Sequence, residues 1–190
     1  MSSKVKLPNN IDYSLYNSSS GMATKKWGPH AWDFLFTSIM GRYPLQVKTR
    51  EDRKIARDFE SILCSLSNVM PCVFCRNSFE GFLKELPIKP FLEGRIQLMY
   101  WLFLMKDKVN NKLIKQENKC YRDEKRRLKV MYRNDEITKR EYYIKIDKFK
   151  QKTFVTVPTP PFKEVLDKYE AFRAVCSKKS LTCKLPSKKT

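Results

Sequence analysis

The sequence predicts an all-α protein: a four-helix bundle plus a short fifth helix, with a charged helical insertion before the fifth. Three observations point there. Apolar residues recur at spacings of three and four in four successive segments between residues 29 and 115, the period of a helix with one buried stripe. Five glycines and a charged fraction of 31% leave little for a large barrel or a dinucleotide-binding sheet. No strand–helix–strand pattern surrounds the cysteines, which argues against a thioredoxin-like oxidoreductase.

The elements follow in order. Residues 1–21, with Asn9-Asn10 and Ser18-Ser19-Ser20-Gly21, read as a flexible leader. Pro29 suits the first turn of a helix carrying Trp32, Leu35, Phe36 and Ile39 on one face and ending at Tyr43-Pro44. Thr49 and Asp52 make a weak capping box for a second helix with Ile55, Phe59, Ile62, Leu63 and Leu66 inward. The third starts at Cys72 and Cys75, packs Phe79, Phe82 and Leu83, and stops at Pro87. The fourth is expected from about Leu92 to Lys115, striped by Ile96, Met99, Leu102, Val109 and Leu113.

From Gln116 to Gln151 charges dominate, and the interleaved Leu128, Met131, Tyr132, Tyr142, Tyr143 and Phe149 predict an amphipathic helical hairpin. Val155 to Pro161 reads as an extended, proline-rich linker. The last helix, Phe162 to Cys176, places Val165, Leu166, Tyr169 and Phe172 at helical spacing, and residues 177–190 form a basic tail. The folded domain thus comprises residues 22–115 and 158–176, and residues 116–157 are a basic insertion and linker.

The net charge of +19 suits a polyanionic neighbour, whether nucleic acid, an anionic membrane surface or the phosphates of a cofactor, and also serves plain solubility. The apolar run from Ile96 to Met105 is too short to span a bilayer, so no membrane partner is expected. Residues 1–21 lack an apolar signal core, so secretion by the chain's own signal is not expected. In that setting six cysteines favour catalysis, metal binding or redox exchange over a secreted disulfide framework.

Pro71-Cys72-Val73-Phe74-Cys75 is the most informative segment. Thiols at i and i+3 meet across the first turn of a helix, within reach of a disulfide. Their place at the positive end of a helix dipole favours the thiolate, the reactive form. The spacing also serves metal ligation or purely structural cysteines. The lone histidine, His30, cannot anchor a Cys/His zinc site, and no metal site is expected. A basic nucleic-acid- or zinc-binding helical module is the competing class; it draws on the Lys/Arg/Tyr mixture of residues 119–152.

Two further segments flank the cysteines: Trp27-Gly28-Pro29-His30-Ala31-Trp32-Asp33-Phe34-Leu35, and Trp101-Leu102 followed by Lys106-Asp107-Lys108-Val109-Asn110-Asn111-Lys112-Leu113-Ile114-Lys115. In this order the three motifs resemble the FAD-linked sulfhydryl oxidases of the augmenter-of-liver-regeneration type. The likeness covers about residues 25–115 and resumes at Pro161 to Tyr169. It departs at Phe36 and Lys106, where that family carries histidines, at Asp107, where it carries an asparagine, and at Met70, where an aromatic is common. At Phe103 many relatives have a cysteine bonded to the last helix, so packing around Phe103 is expected in its place.

The resemblance implies FAD as cofactor. Trp27, Trp32 and Trp101, with Gly28 and Phe36, would form the slot for the flavin ring. Lys106, Lys112 and Lys115 would meet the pyrophosphate, and Asn110 and Val109 the adenine or ribose. His30 and Tyr169 would be cofactor neighbours, His30 alternatively a surface residue. It further implies that Cys72 exchanges with the substrate dithiol and that Cys75 faces the flavin, from which electrons pass to O2 and give hydrogen peroxide. The partners would be protein dithiols or a thioredoxin-like carrier, and a homodimer is expected through the first two helices. Cys176 and Cys183 would be a shuttle disulfide, a structural clip or two free thiols. Cys64 reads as a buried hydrophobe and Cys120 as free. The divergent motifs and the basic insertion are reminiscent of the viral branch of that family, in large DNA viruses, which implies host cytoplasm or virion.

Overall fold

The computed structural model describes residues 11–16 and 21–174. Six α-helices follow a short 3-10 turn at Tyr13–Tyr16, and no strand occurs among the described residues. The helices are α1 (Thr24–Arg42), α2 (Arg50–Val69), α3 (Val73–Glu85), α4 (Arg95–Arg133), α5 (Lys139–Thr153) and α6 (Phe162–Glu170). A second 3-10 turn, Lys89–Phe91, leads into α4.

α1 begins at Thr24, more than a turn before Pro29, which therefore lies inside the helix and forgoes one i→i−4 hydrogen bond. The earlier start matters for the site. It aligns Thr24, Trp27, Gly28, Ala31 and Leu35 at helical spacing along one wall. At the other end, Tyr43 stops the helix in extended backbone and its hydroxyl donates to the Leu92 carbonyl at 2.6 Å. Arg95 Nε donates to the Tyr43 carbonyl at 2.7 Å, so the end of α1 and the start of α4 are tied twice.

The capping box of α2 is complete: Asp52 N–H donates to Thr49 Oγ1 at 3.0 Å, and Thr49 N–H donates to Asp52 Oδ2 at 2.8 Å. Ile55, Ala56 and Leu63 of this helix are buried, and Ile62, expected inward, is exposed. The main core gathers Phe36 and Ile39 from α1 and Tyr43 just after it with Leu98, Met99, Trp101, Leu102 and Met105 from α4, all with no exposed surface. Val165 and Tyr169 close it from α6.

The fourth helix does not stop near Lys115. Residues 112–120 contain neither glycine nor proline and are mostly good helix formers, so nothing ends the helix there. α4 continues to Arg133, 39 residues in all, and is itself the first arm of the hairpin expected in the insertion. The chain reverses through Asn134 to Ile137, with Asp135 at φ 57°, a left-handed position that a short polar side chain tolerates. Thr138 and Glu141 then cap α5, which packs back against α4. Leu128 and Ile137 are buried within this hairpin, outside the main core.

Residues 154–161 run extended along α4. Thr156 donates to Glu117 Oε1 through its backbone N–H at 3.1 Å and its hydroxyl at 2.6 Å. α6 follows, and Phe162 packs its ring 5.3 Å from Phe103 and 5.0 Å from Tyr100. Aromatic packing thus occupies the junction around Phe103.

Candidate functional site

The cysteine pair is placed by the junction of α2 and α3. α2 ends at Val69, Pro71 keeps the chain out of helix, and Cys72 becomes the N-cap of α3. Its sulfur accepts the Cys75 backbone N–H at 3.4 Å, replacing the oxygen that usually caps a helix. Arg76 braces the loop by donating to the Met70 carbonyl at 2.6 Å.

The two thiols are free and half-buried, three positions apart at the first turn of α3. The Cys75 side chain, as a hydrogen-bonding neighbour, is the main cause that holds the Cys72 thiol below the usual range; Thr24 and backbone N–H groups add to it. Burial pushes the Cys75 thiol up, as does the neighbouring Cys72 side chain; Thr24 and the Lys112 ammonium pull it back. The pair is therefore electrostatically unequal: Cys72 is the more acidic thiol and Cys75 the less acidic one.

Both cysteines line an open-mouthed cavity of about 380 Å³ bounded by α1, α2, α3 and α4. Its walls are aromatic and aliphatic: Trp27 and Trp32 from α1, Leu66 from α2, Phe79 and Phe82 from α3, and Val109 from α4. The polar groups are few: Thr24, Ser78, Lys112 and Gln116 beside the thiols. Lys112 Nζ donates to Ser78 Oγ, which fixes the ammonium near the cysteine helix. A mostly apolar slot with a few convergent polar groups is the usual form of a site for a flat cofactor ring.

The candidate residues divide. Trp27, Gly28, Trp32, Val109, Lys112, Cys72 and Cys75 all line this cavity. Trp101 does not: its ring is fully enclosed in the core and its Nε1 donates to the Leu86 carbonyl at 3.0 Å. Phe36 is also core, stacked on Tyr169 at 4.8 Å and 14°. Lys106 lies half-buried with its ammonium 5.7 Å from the Phe36 ring centroid, and burial, then the nearby Lys168, lower its pKa. Asn110 donates to Thr159 Oγ1 at 2.9 Å, so it is engaged by the linker. His30 and Lys115 are exposed away from the cavity lining. Cys176 and Cys183 lie outside the described residues. Cys64 is half-buried with its thiol pushed up by burial, and Cys120 is exposed.

Thr24, Ser78 and Gln116 are site residues that the sequence motifs do not mark. Ser78 can be inferred from the sequence, since it follows Cys75 by three positions and so shares its helix face. Thr24 cannot, being 51 positions from Cys75.

Fold and site together define a helical redox protein with a reactive dithiol at a cofactor-sized slot. The chain belongs to the Erv1 / Alr family, whose profile matches residues 29–132. It is 32% identical over 99 residues to the mitochondrial FAD-linked sulfhydryl oxidase ERV1 of Saccharomyces cerevisiae, a match covering 52% of this chain. The chain spans about half the length of that curated relative, 49%. Among solved structures, the crystal structure of the yeast Erv1 core is similar at a TM-score of 0.42 and 24% identity, covering 58% of this chain and 80% of that one.

Proposed function

We propose that this chain is a flavin-linked thiol oxidase that forms disulfides in protein substrates. One observation carries the reading: two neighbouring thiols of unequal acidity stand at the start of α3, both lining an apolar cavity suited to a flavin ring. Family membership and the FAD-linked relative support it. The donor set fits the cofactor, because Trp27, Trp32 and Phe79 offer flat apolar faces while Lys112, Thr24 and Gln116 offer hydrogen bonds to the polar edge of a flavin. When bound, FAD supplies the electron-pair acceptor and the reaction with O2 that yields hydrogen peroxide.

The chain's own residues perform the thiol exchange. With Cys72 and Cys75 joined as a disulfide, a substrate thiolate attacks the Cys72 sulfur. The S–S bond breaks, a mixed disulfide forms, and Cys75 leaves as thiolate. The second substrate thiolate then attacks the substrate sulfur of the mixed disulfide and releases Cys72. The substrate is oxidised by two electrons and the pair is left as dithiol. The lowered pKa of Cys72 makes it a good leaving group in the second step. Cys75, the more deeply set thiol, has Lys112 to stabilise its negative charge.

The exposed Phe34 on α1 and Ile62 on α2 support a homodimer through the first two helices. The divergent motifs and basic insertion support a viral member of the family, acting in host cytoplasm or virion on protein dithiols or a thioredoxin-like carrier. The nucleic-acid- or zinc-binding alternative is not favoured, because the matched family points to redox chemistry. The deciding experiment is purification from flavin-replete cells under non-denaturing conditions, followed by oxygen uptake with dithiothreitol. The expected result is a yellow protein that releases FAD on denaturation and consumes oxygen. A folded, colourless protein unable to take up FAD overturns the reading.

A further inference from the structure

One hydrogen bond and one close backbone approach fasten the segment before α1 to the cysteine loop, and a further hydrogen bond ties the segment to α1. Met22 N–H donates to the Pro71 carbonyl at 2.8 Å. Trp27 Nε1 donates to the Met22 carbonyl at 3.3 Å, which anchors the segment to the cavity wall. Gly21 sits at φ +73°, and a Cβ there would stand 2.3 Å from the Pro71 oxygen. Both the left-handed backbone and the closeness exclude any other residue without a shift of the loop. α1 then starts at Thr24, whose hydroxyl is 3.4 Å from the Cys75 sulfur.

The groups facing Cys75 are few. Cys72 shares its loop, Lys112 approaches from α4 and Thr24 from α1. Lys112 is already engaged with Ser78, so its effect on the sulfur is that of a nearby charge. Thr24 is the side-chain hydroxyl in hydrogen-bond contact with that sulfur, and toward a thiolate it can only donate.

We propose that Thr24 donates a hydrogen bond to Cys75 as that sulfur leaves the Cys72–Cys75 disulfide, and that the Gly21–Met22 clamp on Pro71 holds the hydroxyl in place. The inference rests on the exchange chemistry given above. In that step the substrate thiolate bonds to Cys72, the Cys72–Cys75 bond breaks, and both of its electrons stay on Cys75. Exchange is faster the more acidic the leaving thiol, so a donor at this atom speeds substrate attack. Gly21 and Met22 act through Thr24 as positioning residues. The donor lies outside the family's cysteine motif, and the segment that places it precedes the first tryptophan of the matched pattern.

The test reads the Cys75 thiol directly and needs neither turnover nor cofactor reduction. In a Cys72→Ala background, iodoacetamide labelling of the Cys75 peptide is followed by mass spectrometry from pH 6 to pH 11. Thr24→Val is expected to raise the labelling midpoint by about one pH unit, the size of one hydrogen bond to a charged group. Thr24→Ser is expected to restore it, because it keeps the hydroxyl and loses only the methyl. Gly21→Ala, which displaces the clamp and leaves Thr24 intact, should shift the midpoint the same way. With both cysteines present, Thr24→Val should also slow cleavage of the Cys72–Cys75 disulfide by dithiothreitol several-fold. An unmoved midpoint in folded Thr24→Val overturns the proposal, as does Thr24→Ser behaving like Thr24→Val. Should Thr24→Val fail to fold, an unmoved midpoint in folded Gly21→Ala overturns the clamp, and Thr24→Ala then stands in for the donor test. If the labelling midpoints shift as expected while the protein neither binds FAD nor consumes oxygen, the oxidase reading falls and the hydrogen bond stands.

Discussion

Tyr169 donates its hydroxyl to Asp33 at 2.6 Å, joining the last helix to the first across 136 positions of sequence. Lys168 donates to the same carboxylate oxygen at 2.9 Å, and the Tyr169 ring stacks on Phe36 beneath. The hydrogen bond from Tyr169, then that from Lys168, holds the Asp33 carboxyl below its ordinary range. Its lowered folded-state pKa means that Asp33 contributes stability above the unfolded value of about 3.9, and that this is lost as pH falls through the folded value. Tyr169→Phe should keep the stack and lose the bond. We expect a cost of about 1 kcal/mol near neutral pH and a smaller gap from the native protein below pH 3, read by urea unfolding at both pH values.

Tyr43 presents the opposite sign. Burial pushes its hydroxyl up to about 12, while its O–H donates to Leu92. The neutral form is what the fold holds, so its contribution is present below the unfolded value of about 10 and is lost as pH rises through about 12. Alkaline unfolding should begin in this window. Tyr43→Phe should flatten that limb of the stability curve and lower stability by about 1 kcal/mol at pH 7, measured by thermal melts between pH 7 and pH 12.

The acidity of Cys72 depends first on the neighbouring Cys75 side chain. Cys75→Ala should therefore raise the pH midpoint for alkylation of Cys72, and Cys75→Ser, which keeps a donor, should raise it less. Each variant should abolish dithiothreitol-driven oxygen uptake, since one thiol cannot close the disulfide. Residual uptake above one-tenth of the native rate in either variant would count against the paired role.

Trp101 offers a contrast between core and cavity. With its side chain enclosed and its indole N–H on Leu86, Trp101→Ala should cost about 3–5 kcal/mol. Trp27→Ala removes a cavity wall instead. It should weaken FAD binding at least tenfold while moving the apoprotein melting temperature less than Trp101→Ala does, as read by flavin titration and calorimetry.

Leu128, only 1% exposed, anchors the hairpin. Leu128→Ala should cost that unit about 2–4 kcal/mol. Amide exchange should then accelerate in α5 and in residues 116–133, with little change in α1 to α3. Uniform acceleration throughout would show that the hairpin and the main core unfold together.

Much of this architecture was legible in the chain. Most of the stripes of α1 to α3 and α6 follow from apolar residues at helical spacing, except that Ile62 is exposed and that α6 stops at Glu170, leaving Phe172 outside it, and Thr49 with Asp52 announces the start of α2. The end of α4 was illegible because the change from apolar to charged residues near Lys115 marks where the helix leaves the core, and says nothing about where its hydrogen bonding stops. The cysteine pair was visible as a local pattern. Its surroundings were less so: tryptophans at helical spacing look alike whether they face a cavity, as Trp32 does, or the core, as Trp101 does. For Asn110 the family resemblance implies a cofactor contact, whereas its hydrogen-bond partner is Thr159 of the linker, 49 positions away. Long-range partners of that kind leave no trace in periodicity.

The unbroken course of α4 has an evolutionary corollary. Starting a helix is costly and lengthening one is cheap, so a segment appended to an existing helix escapes nucleation altogether. The hairpin can therefore grow or shrink by whole turns at Arg133, with each added turn of α4 matched by one of α5. None of those changes reaches Val109 or Lys112, which lie six to seven turns back along the same rod. The outer arm is a region in which sequence and length can diversify while the chemistry at the other end is left alone.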